Sequence, residues 1–426
     1  METHDGFSVE QWKELSSLVV ERASQNRDWL IGCQLSAGML AHQRLQRNRA
    51  AKKFSDPEKW LWTAKLLEQS SDEKVARMTA AAFPNDARVI DLCCGAGADS
   101  VALARRGPVT AIDRCEVACA LTRANLAMHF PMNFLGSLSD SPSVALGSKL
   151  DRSEYEVICS NAESIEIQTE DWIHVDPDRR SNSGRTTLAT FFHPGLDFLL
   201  DLMDRSTGGS IKLAPATKCE YENAGADSNS TIKVDQAKIG RQFIAWGGSV
   251  RQQRWWWKVE TYPAGTTTVS ILDRNDEWLH WTVTNEDVSQ CDQWSNIVDE
   301  VDEIQGYIGD TDGCVRTAGL QGLLASNINA LIIGNPFGYI VKRDKPETSS
   351  PLVHWFEIQA TMPLDRKRLR TYLRERNVGV LEIKVRNIEV DPEMLRKEMK
   401  LKGSESATVL ITRCGSKTIA IVGRRL

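Results

Sequence analysis

The chain has 426 residues, 41% hydrophobic and 26% charged, with a formal net charge of −5. At about 100–200 residues per domain this length predicts more than one domain, and the ordinary composition excludes extensive disorder and fibrous repeats. The most apolar stretch near the middle, Ala330 to Val341, is broken by Asn335, Pro336 and two glycines, whereas a membrane span needs about 20 unbroken apolar residues.

Residues 1–85 read as a helical N-terminal region. Trp12, Leu15, Leu18 and Val19 recur at helical spacing across Glu10 to Ala23, with Ser8 as an N-cap. A second helical stretch, Trp29 to Phe54, ends in Arg44, Arg47, Arg49, Lys52 and Lys53, a run that reads more readily as a solvated face than as a phosphate contact. A third opens with Asp56 as cap and Pro57 at the first helical position.

From Arg88 the pattern changes to short apolar runs separated by helical segments. Arg88–Leu92, Val109–Asp113, Tyr155–Cys159, Trp172–Asp176 and Ser210–Leu213 read as strands. Val101–Arg105, Glu116–Met128 and Leu196–Met203 read as helices between some of them. Alternation of this kind predicts an α/β fold with a parallel, doubly wound sheet over residues 86–290. Phe243–Trp246, Arg254–Glu260 and Thr267–Leu272 read as later strands. Within Trp255-Trp256-Trp257, strand alternation sends the middle ring to the opposite face, so the three read as core and not as a base-stacking platform.

A helical and irregular connector is expected over 291–350, ending in the cluster Pro346, Thr348, Ser349, Ser350 and Pro351. Residues 351–426 then read as a small α/β module. It carries 16 Lys/Arg against 9 Asp/Glu, a net +7 that leaves −12 for the rest of the chain. A basic module on an acidic body points to a polyanionic partner. Its helix bears the cluster Arg366, Lys367, Arg368 and Arg370. The ten cysteines are scattered, with no Cys-x-x-Cys and no histidines at ligand spacing. That fits reduced thiols in a cytoplasmic enzyme, and no metal is expected.

The most informative segment is Val89-Ile90-Asp91-Leu92-Cys93-Cys94-Gly95-Ala96-Gly97-Ala98-Asp99. An apolar strand enters a turn with two glycines and a helix follows, so a ligand can approach the backbone beside free amide hydrogens. Asp113 closes the next strand, where a carboxylate can hold both hydroxyls of a ribose. A dinucleotide fold wants glycine or alanine at the sixth position of the turn. Here that position is Ser100, beside Asp99, and Asp91 ahead of the glycines suits a cationic ligand. These features favour S-adenosylmethionine over a nicotinamide dinucleotide.

The segment resembles motif I of class I S-adenosylmethionine-dependent methyltransferases, with Cys93 in place of a glycine. The resemblance implies that Asp91, Cys93, Gly95 and Gly97 surround the methionine moiety and that Asp113 holds the ribose. It also implies that Asn161, after the third strand, lies beside the adenine. Val175-Asp176-Pro177-Asp178-Arg179-Arg180 stands where nucleic-acid amino methyltransferases carry Asp/Asn-Pro-Pro-aromatic. Asp176-Pro177 keeps the amine acceptor, while Asp178-Arg179 replaces the proline and the aromatic. Asp-Pro-x-Arg-Arg with Gly184-Arg185 is similar to a bacterial group of these enzymes with a C-terminal THUMP-like domain. Ile211-Lys212-Leu213-Ala214-Pro215, Arg316-Thr317-Ala318-Gly319-Leu320 and Leu381-Glu382-Ile383-Lys384-Val385-Arg386 agree with it.

The resemblance implies methyl transfer to RNA, with Asp176 and Pro177 catalytic. Arg179 and Arg180 either meet target phosphates or pair with Asp176 and Asp178. Two other readings stay open: an RNA-binding protein with a regulatory or vestigial cofactor pocket, and a small-molecule methyltransferase.

Overall fold

The computed structural model describes residues 3–24, 36–131, 155–178, 180–181, 184–185, 192–217, 219–220, 232–233, 235–291, 297–334 and 338–426. The chain divides into two units. The first comprises Met1–Gln242 and Gln252–Gly265, the second Phe243–Arg251 and Thr266–Leu426.

The first unit opens with α1 (Val9–Ser24), α2 (Ala37–Ala50), α3 (Ala64–Gln69) and α4 (Glu73–Ala81). Ser8 caps α1 as expected. Its hydroxyl accepts from the Gln11 amide at 3.3 Å, and the Gln11 side chain accepts from the Ser8 amide at 2.9 Å, a reciprocal capping box. Asp56 does not start a helix. Pro57–Lys59 forms a single 3₁₀ turn with no side-chain cap bond from Asp56. The reason is that Trp60, Leu61 and Trp62 are buried in extended form. Asn125 accepts from the Leu61 amide at 2.7 Å and Gln43 from the Trp62 amide at 3.1 Å, which satisfies a buried strand-like segment without a partner strand. The helix begins only at α3, capped by Thr63.

The basic run of α2 is partly structural. Arg47 is buried and donates to Trp60 O and Glu58. Lys53 donates to Leu67 O, Glu68 O and Ser70 O at the end of α3. Arg44, Arg49 and Lys52 remain exposed.

Next come β1 (Val89–Leu92), α5 (Ala98–Ala104), β2 (Val109–Asp113), α6 (Glu116–His129), β3 (Tyr155–Cys159), β4 (Trp172–Val175), α7 (Leu196–Arg205), β5 (Gly208–Leu213) and β6 (Ser249–Trp257). Strand order within this unit is 6-5-4-1-2-3. The pairs β1–β2, β2–β3, β1–β4 and β4–β5 are parallel, and β6 runs antiparallel to β5 over Gln253–Trp257. The order reverses between β1 and β4, the switch point at whose carboxyl ends ligands bind in open α/β sheets. Both sheet faces are covered. Val89, Val109 and Val157 share a core with Trp12, Leu15 and Trp62 from the N-terminal helices, while Ile90, Ile112 and Ile173 pack with Leu199 and Leu202 of α7. Trp256 lies in the first core, Trp255 and Trp257 in the second, the alternation a strand requires.

The second unit contains a hairpin of β7 (Thr266–Leu272) and β8 (Trp278–Thr284), then α8 (Asn285–Gln290) behind a Thr284 capping box. A separate sheet contains β9 (Ile297–Val298), β10 (Tyr307–Thr311), β11 (Leu331–Ile333), β12 (Tyr339–Lys342), β13 (Val353–Pro363), β14 (Val378–Val385), β15 (Glu405–Cys414) and β16 (Lys417–Arg425) in the order 9-11-12-10-13-16-15-14. Helices α9 (Gly313–Thr317) and α10 (Gln321–Asn327) follow β10, α11 (Arg366–Glu375) follows β13, and α12 (Pro392–Met399) precedes β15. The connector expected to be helical and irregular over 291–350 holds α9 and α10 and also strands β9 to β12. Its strand β10 pairs antiparallel with β13, which covers what would otherwise be an exposed edge of the terminal module. Among the described residues, no helix is long and apolar enough to cross a membrane.

Candidate active site

The glycine turn joins β1 to α5 and is held from four sides. Ile112 O accepts from the Cys94 amide at 3.0 Å, and Cys94 O accepts from the Gly97 amide at 2.9 Å. Asp113 Oδ2 accepts from the Gly95 amide and Gly95 O accepts from Thr122 Oγ1, both at 2.9 Å. Gly97 has φ 81° and caps α5. A Cβ there would lie 2.9 Å from Thr122 Cγ2, so only glycine fits. Gly95 has φ 59°, but a Cβ on it would meet nothing closer than Leu66 Cδ2 at 3.9 Å. Its backbone is open to an approaching ligand.

Cys93, the residue that replaces a glycine, also has a positive φ of 62°. A non-glycine residue in this region is strained by about 1–3 kcal/mol, and such strain concentrates at functional sites. Its Sγ donates to His193 O at 3.8 Å. Burial pushes its thiol well above the ordinary range, and the carboxylates of Asp113, Asp176 and Asp91 push it further. Cys93 thus stands as a neutral thiol among three carboxylates.

Asp113 closes β2 with Oδ1 accepting from the Cys115 amide and Oδ2 from Gly95, each at 2.9 Å. Each oxygen keeps a second lone pair, which suits ribose hydroxyls. Burial raises its pKa, and the two amide bonds offset only part of that rise. Asn161 follows β3 and is exposed.

Asp91 is not at the surface of the turn. It is 1% exposed, with Oδ2 accepting from Ser100 Oγ and Oδ1 bonded to His174 Nδ1 at 2.8 Å. His174 is its register partner on β4, so the two side chains share one face of the sheet and Asp91 supports the turn from behind. His174 Nε2 meets Arg254 Nη1 at 2.9 Å. A guanidinium can only donate, so Nε2 accepts and the neutral imidazole donates from Nδ1 to Asp91. Arg254, wholly buried on β6, also lies 3.6 Å from Asp99 Oδ1. Asp99 therefore faces the protein interior, not the ligand side of the turn. Its Oδ2 accepts from Ser71 Oγ at 2.7 Å. The network closes on Lys212 of β5, which donates to Ser71 Oγ at 3.0 Å and to Asp176 Oδ2 at 2.6 Å.

Asp176 lies just past β4 at the switch point, its amide donating to Leu92 O at 3.2 Å and its side chain 26% exposed. Pro177 is buried. Asp178 exchanges two backbone bonds with His193, at 2.9 and 3.0 Å, beside a cis His193–Pro194 peptide. Arg179 lies outside the described residues. For Arg180 only the backbone is described, and Arg180–Ser181 pairs antiparallel with Gly184–Arg185. Gly95, Gly97, Cys93, Asp113 and Asp176 thus share one end of the sheet. Lys212, Ser71, His174 and Arg254 complete the site but carried no ligand signal of their own in the sequence, and Asp99, read there only as a poor neighbour for pyrophosphate, joins them. The one available hint was Lys212, a charge inside an apolar strand.

These residues fit S-adenosylmethionine. The turn accepts close backbone approach at Gly95, and Asp113 offers a ribose acceptor. Arg254 pairs with Asp99 and Lys212 with Asp176, while Asp91 has only Ser100 and the neutral His174, which leaves a surplus of negative charge that suits a sulfonium.

In the second unit, the cluster Arg366, Lys367, Arg368 and Arg370 lies on α11, whose Leu369 and Leu373 are buried. Arg366 forms a two-oxygen pair with Glu398, both at 2.8 Å. Lys367 and Arg368 are exposed, and Arg370 is half-buried. A second cluster surrounds Asp310, which is 3% exposed, with Lys384 and Arg386 each at 3.1 Å and Arg316 at 3.3 Å. Burial works to raise the Asp310 carboxyl, but Arg386, Lys384 and Arg316 together outweigh it and hold it below its ordinary value.

Residues 353–425 match the THUMP domain-like family. Over 397 residues the chain is 28% identical to an uncharacterized S-adenosylmethionine-dependent methyltransferase of Mycobacterium tuberculosis, present in strains CDC 1551 and H37Rv, covering 91% of this chain and 95% of the relative. The crystal structure of a Porphyromonas gingivalis W83 protein assigned as a methyltransferase is 16% identical, with a TM-score of 0.69 and coverage of 98% of this chain and 99% of that one. The fold is shared with that structure.

Proposed function

We propose that this chain, a class I S-adenosylmethionine-dependent methyltransferase with a THUMP domain-like C-terminal module, methylates a base amine of RNA. The observation that carries this reading is Asp176, a half-exposed carboxylate held at the carboxyl end of β4 beside the glycine turn. The THUMP-like match and the basic terminal module support RNA as the substrate class. S-adenosylmethionine would supply, when bound, a methyl group on a sulfonium sulfur, the nucleophile taking the methyl and the sulfur leaving as a neutral thioether.

The chain's own residues do the rest by positioning. Gly95 and Gly97 keep the turn open beside the methionine moiety, Cys93 lines it, Asp113 holds the ribose, and Asn161 meets the adenine. Asp176 accepts a hydrogen bond from the attacking amine, which aims the nitrogen lone pair, and takes or passes on the proton that nitrogen loses. Arg179 and Arg180 hold target phosphates, as do the exposed cations of α11. The activity belongs in the cytoplasm, where RNA and reduced thiols occur together.

The test is methyl transfer from radiolabelled S-adenosylmethionine to total bacterial RNA. Asp176→Ala should reduce the rate by about 10²–10⁴-fold, the usual contribution of a positioned proton acceptor, with cofactor affinity by calorimetry nearly unchanged. An equal loss of both would place Asp176 against the cofactor instead of the amine.

A further inference from the structure

We infer that Lys212 is the positioning residue for Asp176: it clamps one carboxylate oxygen so that the other faces the incoming amine. The inference rests on the reading of Asp176 given above. Val175 pairs with Ile211 in the parallel register of β4 and β5, so Lys212 and Asp176 are the next residues on adjacent strands, both at the ligand-binding end of the sheet. Lys212 Nζ lies 2.6 Å from Asp176 Oδ2 and 3.0 Å from Ser71 Oγ. Ser71 is fixed in turn by Asp99 at 2.7 Å, so the ammonium has two set acceptors and little freedom to leave either.

Burial argues against a merely structural cation. The Lys212 side chain is 8% exposed, and a lysine that deep is costly to desolvate. Replacing a buried pair by apolar residues is often neutral or stabilising, so such a pair is weak evidence for stability. An apolar residue would continue the β5 pattern of Ile211 and Leu213 on a strand that is buried throughout. What the ammonium adds is direction. Without it, the 26% exposed Asp176 side chain is free to rotate toward solvent, and a carboxylate displaced by about 1 Å can cost on the order of 10²-fold in rate.

The experiment compares Lys212→Met, Asp176→Ala and the double variant in the full-length chain, with labelled S-adenosylmethionine and total bacterial RNA. Cofactor affinity by calorimetry and melting temperature serve as independent readouts. Lys212→Met should lose about 10–100-fold in turnover at a temperature where it stays folded, with the melting temperature lowered because one partner of a buried pair is gone and the affinity for S-adenosylmethionine not reduced. The double variant should be no slower than Asp176→Ala, because Lys212 acts only through that carboxylate. If Lys212→Met melts below the assay temperature, Lys212→Gln, whose shorter neutral side chain cannot form the ion pair with Asp176, replaces it in the comparison with the same loss expected.

Unaltered turnover in Lys212→Met, or a further loss in the double variant, overturns the inference while leaving the role of Asp176 intact. No labelling of RNA by the unaltered chain overturns the RNA reading and takes this inference with it.

Discussion

The two units bury charge by the same physics and reach opposite balances. In the first, Asp99 pairs with Arg254 and Asp176 with Lys212, while Asp91 is held by His174 and Ser100. In the second, Arg316, Lys384 and Arg386 share Asp310, while the neighbouring Asp312 is engaged in capping α9 through the Cys314 amide at 2.8 Å. A buried cluster with surplus negative charge is completed by a cation, and one with surplus positive charge by an anion or by solvent. The sign of the surplus, more than the number of charged residues, separates a pocket suited to a sulfonium from a domain suited to a polyanion.

The most disruptive way to break this comparison is Arg254→Met. It leaves Asp99 facing one cation fewer and His174 without its donor, deep in the core, and should cost about 3–5 kcal/mol of stability, read by denaturant unfolding. Asp113→Ala tests the pocket itself. Removing an acceptor for charge-assisted bonds should weaken S-adenosylmethionine binding by about 1.5–3 kcal/mol per bond in calorimetry. Because burial raises the Asp113 pKa, its proton returns, and cofactor affinity falls, at a pH above the ~3.9 of an ordinary aspartate; affinity should hold constant from neutral pH down to that point. Tight binding of a nicotinamide dinucleotide, with none of S-adenosylmethionine, would falsify the assignment of the pocket.

Asp310→Asn addresses the opposite cluster. Its three cations are roughly a fifth to a quarter exposed, so water relieves part of their repulsion and the loss should be smaller, about 1–3 kcal/mol. A loss as large as that of Arg254→Met would show that the two clusters are equally dry. Replacing Arg366, Lys367, Arg368 and Arg370 by glutamine should flatten the salt dependence of RNA binding, by about 0.7 log unit for each single-strand phosphate that is no longer neutralised. Arg366 is already paired with Glu398, so the flattening should correspond to fewer phosphates than the four cations removed. Unchanged affinity and slope would remove α11 from the RNA surface.

The smallest effect concerns two thiols near the pocket. The neighbouring Cys119 thiol lowers the Cys159 pKa, against the effect of burial, whereas burial and three carboxylates raise Cys93. Alkylation at about pH 7.5, mapped by mass spectrometry, should therefore mark Cys159 well before Cys93, since the thiolate is the reactive form.

Much of this fold was legible because its elements are set by local pattern. The runs Val109–Asp113 and Tyr155–Cys159 are strands with the expected limits, since continuous apolar residues bounded by turn signals leave a buried parallel strand as the consistent reading. Pro392 behind Asp391 marks the start of α12 for an equally local reason, the cap bonds to the Glu393 and Met394 amides. Trp60–Trp62 was not legible as an extended segment. Its amides are satisfied by Gln43 and Asn125, far away in sequence, and no local rule encodes that.

The site divides along the same line. Spacing along single strands and turns determined the glycine turn, Asp113 and Asp176, because close backbone approach and strand-end carboxylates are properties of short segments. Tertiary structure alone decided that Asp91 supports the turn from behind, that Asp99 faces inward, and that Lys212, Ser71, His174 and Arg254 link them. Each of those contacts joins residues on different elements whose relative height depends on sheet register, and register is fixed by packing both faces of the sheet, not by any one strand's own pattern.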